Sequence, residues 1–264
     1  MSHFESKRAV AALIAASGLM LGQPASATIV QVQTVLGDIE INLFDKGTPQ
    51  TVANFLAYVN ANAYTDNVIH RTEPGFVIQG GGYHYPGALP LVAVSQNATV
   101  ANEPVYSNVR GTIAMAKLAS NPNSATNQWF ISLADNSANL DVQNGGFTVF
   151  GQVTSGMAVA DAIAAVSRFN MGNDFSAIPL RNYTSADVTA GTPITDNNLV
   201  LVRKIIVLDS NVDSAASLNP AKNTLINQPP SNGGGNDSGG GGSTGLAALL
   251  GLALLLLGRR VRSA

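Results

Sequence analysis

The chain of 264 residues contains no cysteine. That absence removes disulfides, thiol nucleophiles and cysteine-ligated metals, so stability has to come from a packed core and chemistry from other groups. Charge is also sparse: Asp, Glu, Lys and Arg make up 11% of residues, and there are only three histidines. Within residues 28–243 acidic residues outnumber basic ones 15 to 9, a formal charge of −6. Nucleic-acid binding does not fit that balance, because neutralising phosphates takes clustered cations. His84 lies in a Gly/Pro-rich stretch with no second ligand nearby, and His70 reads as structural, so no metal or other cofactor is expected. No apolar run reaches the roughly 20 residues of a membrane-spanning helix. The two longest candidates, residues 9–21 and 245–257, have thirteen residues each.

Both short runs sit in layouts that read as targeting devices. Lys7 and Arg8 precede the first run, and Pro24 and the triplet Ala25-Ser26-Ala27 follow it. This is the pattern of a signal peptide over residues 1–27, cleaved by signal peptidase before Thr28. A glycine-rich stretch, residues 233–242, precedes the second run, and Arg259, Arg260 and Arg262 follow it. Thirteen helical residues rise about 20 Å, short of the roughly 30 Å hydrocarbon core. This layout resembles the glycine-rich C-terminal sorting tails that the rhomboid-family protease rhombosortase removes in some Gram-negative bacteria; a plain tail anchor is the alternative. The expected organisation is therefore a signal over residues 1–27, one folded domain over 28–209, a Gly/Ser/Asn-rich linker over 210–244 and a sorting signal or anchor over 245–264. The product is expected to be exported, to the periplasm, the cell surface or the medium.

Within the domain the apolar periodicity is mostly that of strands. Ile29, Val32 and Val35, then Ile39, Ile41 and Leu43, flank a turn at Leu36-Gly37-Asp38 and predict an antiparallel hairpin. Thr48 and Pro49 suit the N-cap and first position of a helix that carries Val52, Phe55, Leu56 and Val59 on one face. Short apolar segments then recur at residues 68–71, 76–79, 111–116, 129–133 and 147–153, separated by Gly, Pro and Asn; this spacing favours a closed β structure over βαβ units. A second helix is expected at residues 157–166, a polar loop at 167–197 and a last strand at 198–208. Trp129 alternates with Phe130 and is expected to face the core.

Three stretches carry the chemistry. The first, residues 68–83, reads VIHRTEPGFVIQGGGY and sets Arg71, Phe76 and Gln79 where they can share one groove. The second, GTIAMAKLASNPNSATNQWFISL, supplies Ala116, Lys117, Gln128 and Phe130. The third, NLDVQNGGFTVFGQV, supplies Leu140 and Phe147.

Taken in order, the HR…PGF.IQGG and G.IAMA…NQ.FI signatures resemble those of the cyclophilin family over nearly all of residues 28–209. The resemblance implies an eight-stranded antiparallel closed β-barrel capped by two α-helices, acting as a monomeric peptidyl-prolyl cis/trans isomerase on proline-containing polypeptides, without a cofactor. By the same resemblance Arg71 falls on the catalytic arginine. Phe76, Val77, Phe130 and Leu140 fall on the apolar floor that takes the proline ring, and Gln79 and Gln128 on polar groove positions. Ala116 and Lys117 fall on the segment whose backbone holds the substrate main chain, which leaves the Lys117 side chain without a role. Phe147 stands where many eukaryotic cyclophilins have histidine, Asn139 where they have the groove tryptophan and Val77 where methionine is usual; these departures imply an altered pocket rim and weak cyclosporin binding. The resemblance leaves a second function open, a proline-peptide-binding chaperone or docking module with little turnover.

Overall fold

The computed structural model describes residues 28–210, 215 and 218–227. The signal peptide, the glycine-rich stretch and the C-terminal apolar segment expected from the sequence lie outside the described residues.

The first strands are β1 (Ile29–Thr34) and β2 (Gly37–Leu43), joined by a two-residue turn at Val35 and Leu36. Their register pairs Val30 with Ile41 and Val32 with Ile39. All four side chains are buried, as strict alternation on one face demands. Helix α1 (Pro49–Asn60) follows, with Thr48 at its N-cap and Pro49 opening its first turn. It buries Val52, Phe55, Tyr58 and Val59, and Phe55 stacks 5.1 Å from Phe150 and 5.5 Å from Tyr64, so one face of this helix fills the core.

Short strands come next: β3 (Asn67–Val68), β4 (Arg71–Glu73), β5 (Val77–Gly80), β6 (Tyr83–His84), β7 (Val92–Ala93), β8 (Thr112–Met115) and β9 (Trp129–Ser132). After the one-turn helix α2 (Ser137–Leu140) come β10 (Val149–Ser155), α3 (Met157–Ala164), the hairpin β11 (Arg168–Phe169) and β12 (Ile178–Pro179), α4 (Ser185–Ala190) and β13 (Leu201–Asp209). Eleven strands form one curled antiparallel sheet in the order β4-β5-β9-β8-β10-β2-β1-β13-β3-β6-β7, and β11 pairs only with β12.

The fold is thus mostly β with few helices; among the described residues there are four α-helices, two more than the two expected. Both α2 and α4 are too short to carry an apolar stripe, although Thr184 and Asp187 do form a capping box at the start of α4. The region expected as polar loop holds α4 and the β11–β12 hairpin, and Ile178, Leu180, Tyr183, Leu199 and Leu201 gather there into a small satellite core with Val68. No helix among the described residues is long and apolar enough to cross a membrane.

Candidate active site

Strand alternation divides one stretch of sheet between two environments. Ile78, Trp129, Ile131, Ile113 and Met115 face the main core with α1, so Trp129 lies where the sequence predicts it. Their neighbours Val77, Phe130, Ala114 and Ala116 face the other way, into a second cluster with Phe44, Tyr106, Leu140, Phe147 and Val149, against which Phe76 packs half-buried. Cross-strand register aligns this outer face. Arg71 is opposite Gln79, Gln79 opposite Phe130 and Phe130 opposite Ala114. Side chains directly opposite one another in an antiparallel sheet share a face, so the guanidinium, the amide and the aromatic ring form one row.

The polar end of that row is hydrogen-bonded in series. Arg71 Nη1 donates to Gln79 Oε1 at 3.3 Å, and Gln79 Nε2 donates to Gln128 Oε1 at 2.8 Å. Arg71 Nη2 lies 3.7 Å from a Glu73 carboxylate oxygen, and Arg168 pairs with the other oxygen of Glu73. Burial lowers the Arg71 pKa, Glu73 opposes that shift and Arg168 adds to it; an arginine nevertheless remains protonated throughout the physiological range. Only 5% of Arg71 is exposed, and its Nη2 has no hydrogen-bond partner within the protein. A buried donor left open in this way is costly unless something else accepts from it.

The apolar end is closed by the loop between α2 and β10. Phe147 N donates to Leu140 O at 2.8 Å across the neck of this loop, and the rings of Phe130 and Phe147 meet edge to face at 5.8 Å. Lys117, on the neighbouring segment, is folded inward and only 6% exposed. Its ammonium donates to Asn144 O at 2.7 Å and to Gly146 O, and lies 4.8 Å from the centroid of the Phe147 ring. Burial lowers its pKa to about 8. The Ala116 N–H is already taken by Gln128 O at 2.9 Å. Chemically, the site offers a fixed cationic donor beside an apolar floor, and among the described residues no group of three or more His, Asp or Glu is arranged to hold a metal.

Comparison with known proteins bears directly on this arrangement. The family model for cyclophilin type peptidyl-prolyl cis-trans isomerases matches residues 29–184, more than half of the chain. The chain belongs to this family. Among curated relatives, the peptidyl-prolyl cis-trans isomerase of Acinetobacter baylyi is 41% identical over 161 residues, covering 60% of this chain and 84% of that protein. The peptidyl-prolyl cis-trans isomerase A of Dickeya dadantii is 41% identical over 175 residues, covering 63% and 89%. The peptidyl-prolyl cis-trans isomerase B of Escherichia coli is 38% identical over 148 residues, covering 54% and 88%.

On this cyclophilin domain the residues singled out in the sequence fall as follows. Arg71, Gln79 and Gln128 are joined by hydrogen bonds, and Val77, Ala116, Phe130, Leu140 and Phe147 pack in one cluster with Phe76. Lys117 joins them through its side chain, the part that had no expected role. Asn139 is half-buried beside Leu140. Sequence reading missed Glu73, Arg168, Phe44 and Tyr106. Glu73 was within reach, since it stands two positions from Arg71 on the same strand and so on the same face. Arg168 is 95 residues from Glu73, and no local pattern marks it.

Proposed function

We propose that this cyclophilin domain catalyses cis/trans isomerisation of X-Pro bonds, the activity for which its relatives are named. The observation that carries the reading is Arg71 Nη2, a buried donor that pairs with Glu73 only at 3.7 Å and has no hydrogen-bond partner among the described residues, in register with an apolar floor. Isomerisation crosses a barrier of roughly 18–20 kcal/mol set by amide conjugation. A donor directed at the prolyl nitrogen favours its pyramidal, deconjugated form and so lowers that barrier without a nucleophile or a metal. Phe76, Val77, Phe130, Leu140 and Phe147 take the proline ring, so that the preceding carbonyl swings while the ring stays fixed. Gln79, held between Arg71 and Gln128, fixes the guanidinium, and the backbone of Ala116 and Lys117 meets the substrate main chain. The rate arises from binding the twisted amide better than either planar isomer, at about 1.4 kcal/mol per tenfold.

The same reading takes residues 67–73 as one bent strand, with Ile69 N donating to Val200 O at 3.0 Å and His70 N to Gln79 O at 3.1 Å. Counted so, β3 and β4 together close an eight-stranded barrel with β5, β9, β8, β10, β2, β1 and β13. The isomerase unit is then the domain over residues 28–209, acting as a monomer on exported polypeptides, with the ends of the chain handled by signal peptidase and a rhomboid-family sorting protease.

The test is exchange NMR on a proline tetrapeptide. Arg71→Ala should slow isomerisation at least tenfold, about 1.4 kcal/mol, while the peptide still binds and the protein stays folded. Phe130→Ala should instead weaken binding, since truncating a buried Phe removes up to about 3–5 kcal/mol of packing. If Arg71→Ala isomerises the peptide as fast as the wild type, catalysis by this groove is ruled out, and a docking module for proline peptides is the reading that stands.

A further inference from the structure

Beyond β13 the chain comes back to the apolar cluster of the groove. Ala215 and Leu218 pack against the cluster that contains Phe130, Leu140 and Phe147. Lys222 then forms an antiparallel bridge with Tyr106, Ser107 N donates to Ala221 O at 2.9 Å, and Asn223 N donates to Val105 O at 3.0 Å. The Lys222 ammonium lies 4.1 Å from the Tyr106 ring centroid, a cation–π contact on the same bridge.

Asn223 occupies the centre of this strap. Its Oδ1 accepts from Leu225 N at 2.9 Å and Ile226 N at 3.0 Å, which fixes the strap's own turn. Its Nδ2 donates to Asp141 O at 2.9 Å. A Cβ placed on Gly146 would come within 3.0 Å of Ile226 Cδ1, so Ile226 sits directly against that glycine. Asp141 and Gly146 are the residues just inside Leu140 and Phe147, the two floor side chains of the loop.

That loop needs outside support. Asn144, Gly145 and Gly146 have φ of +50°, +75° and +72°, three successive residues in the left-handed region. Such backbone has few local preferences holding it and persists where surrounding contacts over-determine it. Lys117 bonds the loop at Asn144 and Gly146, Asn108 Nδ2 bonds Phe147 O at 3.1 Å, and the strap supplies contacts at Asp141 and Gly146.

We propose that residues 218–227 are a strap that positions the floor of the substrate groove, with Asn223 as its positioning residue. The inference rests on the isomerase reading. The stretch matched by the family model stops at residue 184, so the strap lies outside it. Arg71 stands on β4, held by Gln79 and Glu73 and not by the strap. Loosening the strap should therefore weaken proline binding and leave the turnover of bound substrate alone.

The experiment uses the full chain with Asn223→Ala and Asn223→Asp. The aspartate keeps the acceptor that caps the Leu225–Ile226 turn and replaces the donor to Asp141 with an anionic oxygen that the Asp141 carbonyl repels. Both variants should raise KM for a proline tetrapeptide about fivefold, the equivalent of about 1 kcal/mol, with kcat within about twofold of the wild type. A lowered thermal midpoint with unchanged KM would make the strap a stability element and overturn the proposal, as would an aspartate variant with wild-type KM. A wild type that binds the peptide without turning it over defeats the isomerase reading alone, and the strap is then judged by the variants' Kd. A wild type that neither binds nor turns over the peptide overturns both.

Discussion

His70 and Arg71 are adjacent, and burial lowers the pKa of both by desolvation, with different outcomes. Arg71 keeps its charge because its intrinsic pKa is so high, whereas His70, 2% exposed, has its pKa lowered from 6.5 to about 4 by desolvation. Its ring meets Tyr83 edge to face at 5.4 Å, and the Tyr83 hydroxyl donates to Asp174. Because the folded-state value lies below the unfolded one, the unfolded chain binds the extra proton between pH 6.5 and 4. Stability is therefore untouched above pH 6.5 and declines as pH falls through that window, by on the order of 3 kcal/mol in all. Urea unfolding at pH 7.5 and pH 4.5 should show the decline in the wild type and a smaller one in His70→Asn. Equal declines would remove His70 from the account.

Lys117 gives a second prediction at the same scale. Its charged form bonds two carbonyls of the floor loop and faces the Phe147 ring. The acidic groups of the neighbouring elements are turned elsewhere, Asp141 to Ser107 and Asn108 and Glu103 to Gln50 and Thr51. Above pH 8 the ammonium loses its proton, and KM for a proline peptide should rise. Lys117→Arg keeps the charge at every accessible pH and should flatten that profile. A wild-type KM that is level from pH 7 to 9.5 would count against the pinning role.

At the scale of elements, the turn after β5 has strict demands. Gly81 has φ +87°, its N–H donates to Asn67 Oδ1 at 2.7 Å, and a Cβ there would fall 2.3 Å from Asn127 O and 2.9 Å from Trp129 Cδ1. Both the dihedral and the space exclude a side chain, because Asn127 O is backbone and Trp129 is fixed in the core. Gly81→Ala should lower unfolding free energy by about 3 kcal/mol or more, read by urea titration. A loss under about 1 kcal/mol would mean that the turn relaxes. Three successive glycines, residues 80–82, mark a bulge or turn in the sequence alone. The alternation of Trp129 with Phe130, one toward the core and one away, was visible as well, since period-two alternation is a local property. The hairpin β11–β12 and helix α4 were not, because neither is long enough to repeat a pattern.

At the scale of the whole molecule, the charge balance and the two ends bear on where the protein works. Export is proposed from Lys7, Arg8 and the residues before Thr28, and processing of the tail from the glycine-rich stretch and the arginines at 259, 260 and 262. Intact-mass measurement on protein recovered from cells should find a chain that begins at Thr28 and ends within residues 233–243. Recovery of an exported form retaining Arg262 would favour an anchor over a sorting signal.

The sequence by itself determined the family resemblance, through short motifs in residues 68–83 and 111–133, and that resemblance is what singles out Arg71, Phe76, Gln79, Gln128, Phe130 and Leu140. Strand alternation is local and adds only that Trp129 and Phe130 face opposite ways. Tertiary structure alone decided what holds those residues in place. Glu73 stands between Arg71 and Arg168, Lys117 turns inward onto the Phe147 loop, and Asn223 reaches Asp141 from 82 residues away. Such contacts join segments far apart in the chain, and their partners are set by how the sheet curls and where the chain returns. No periodicity within either segment records that meeting.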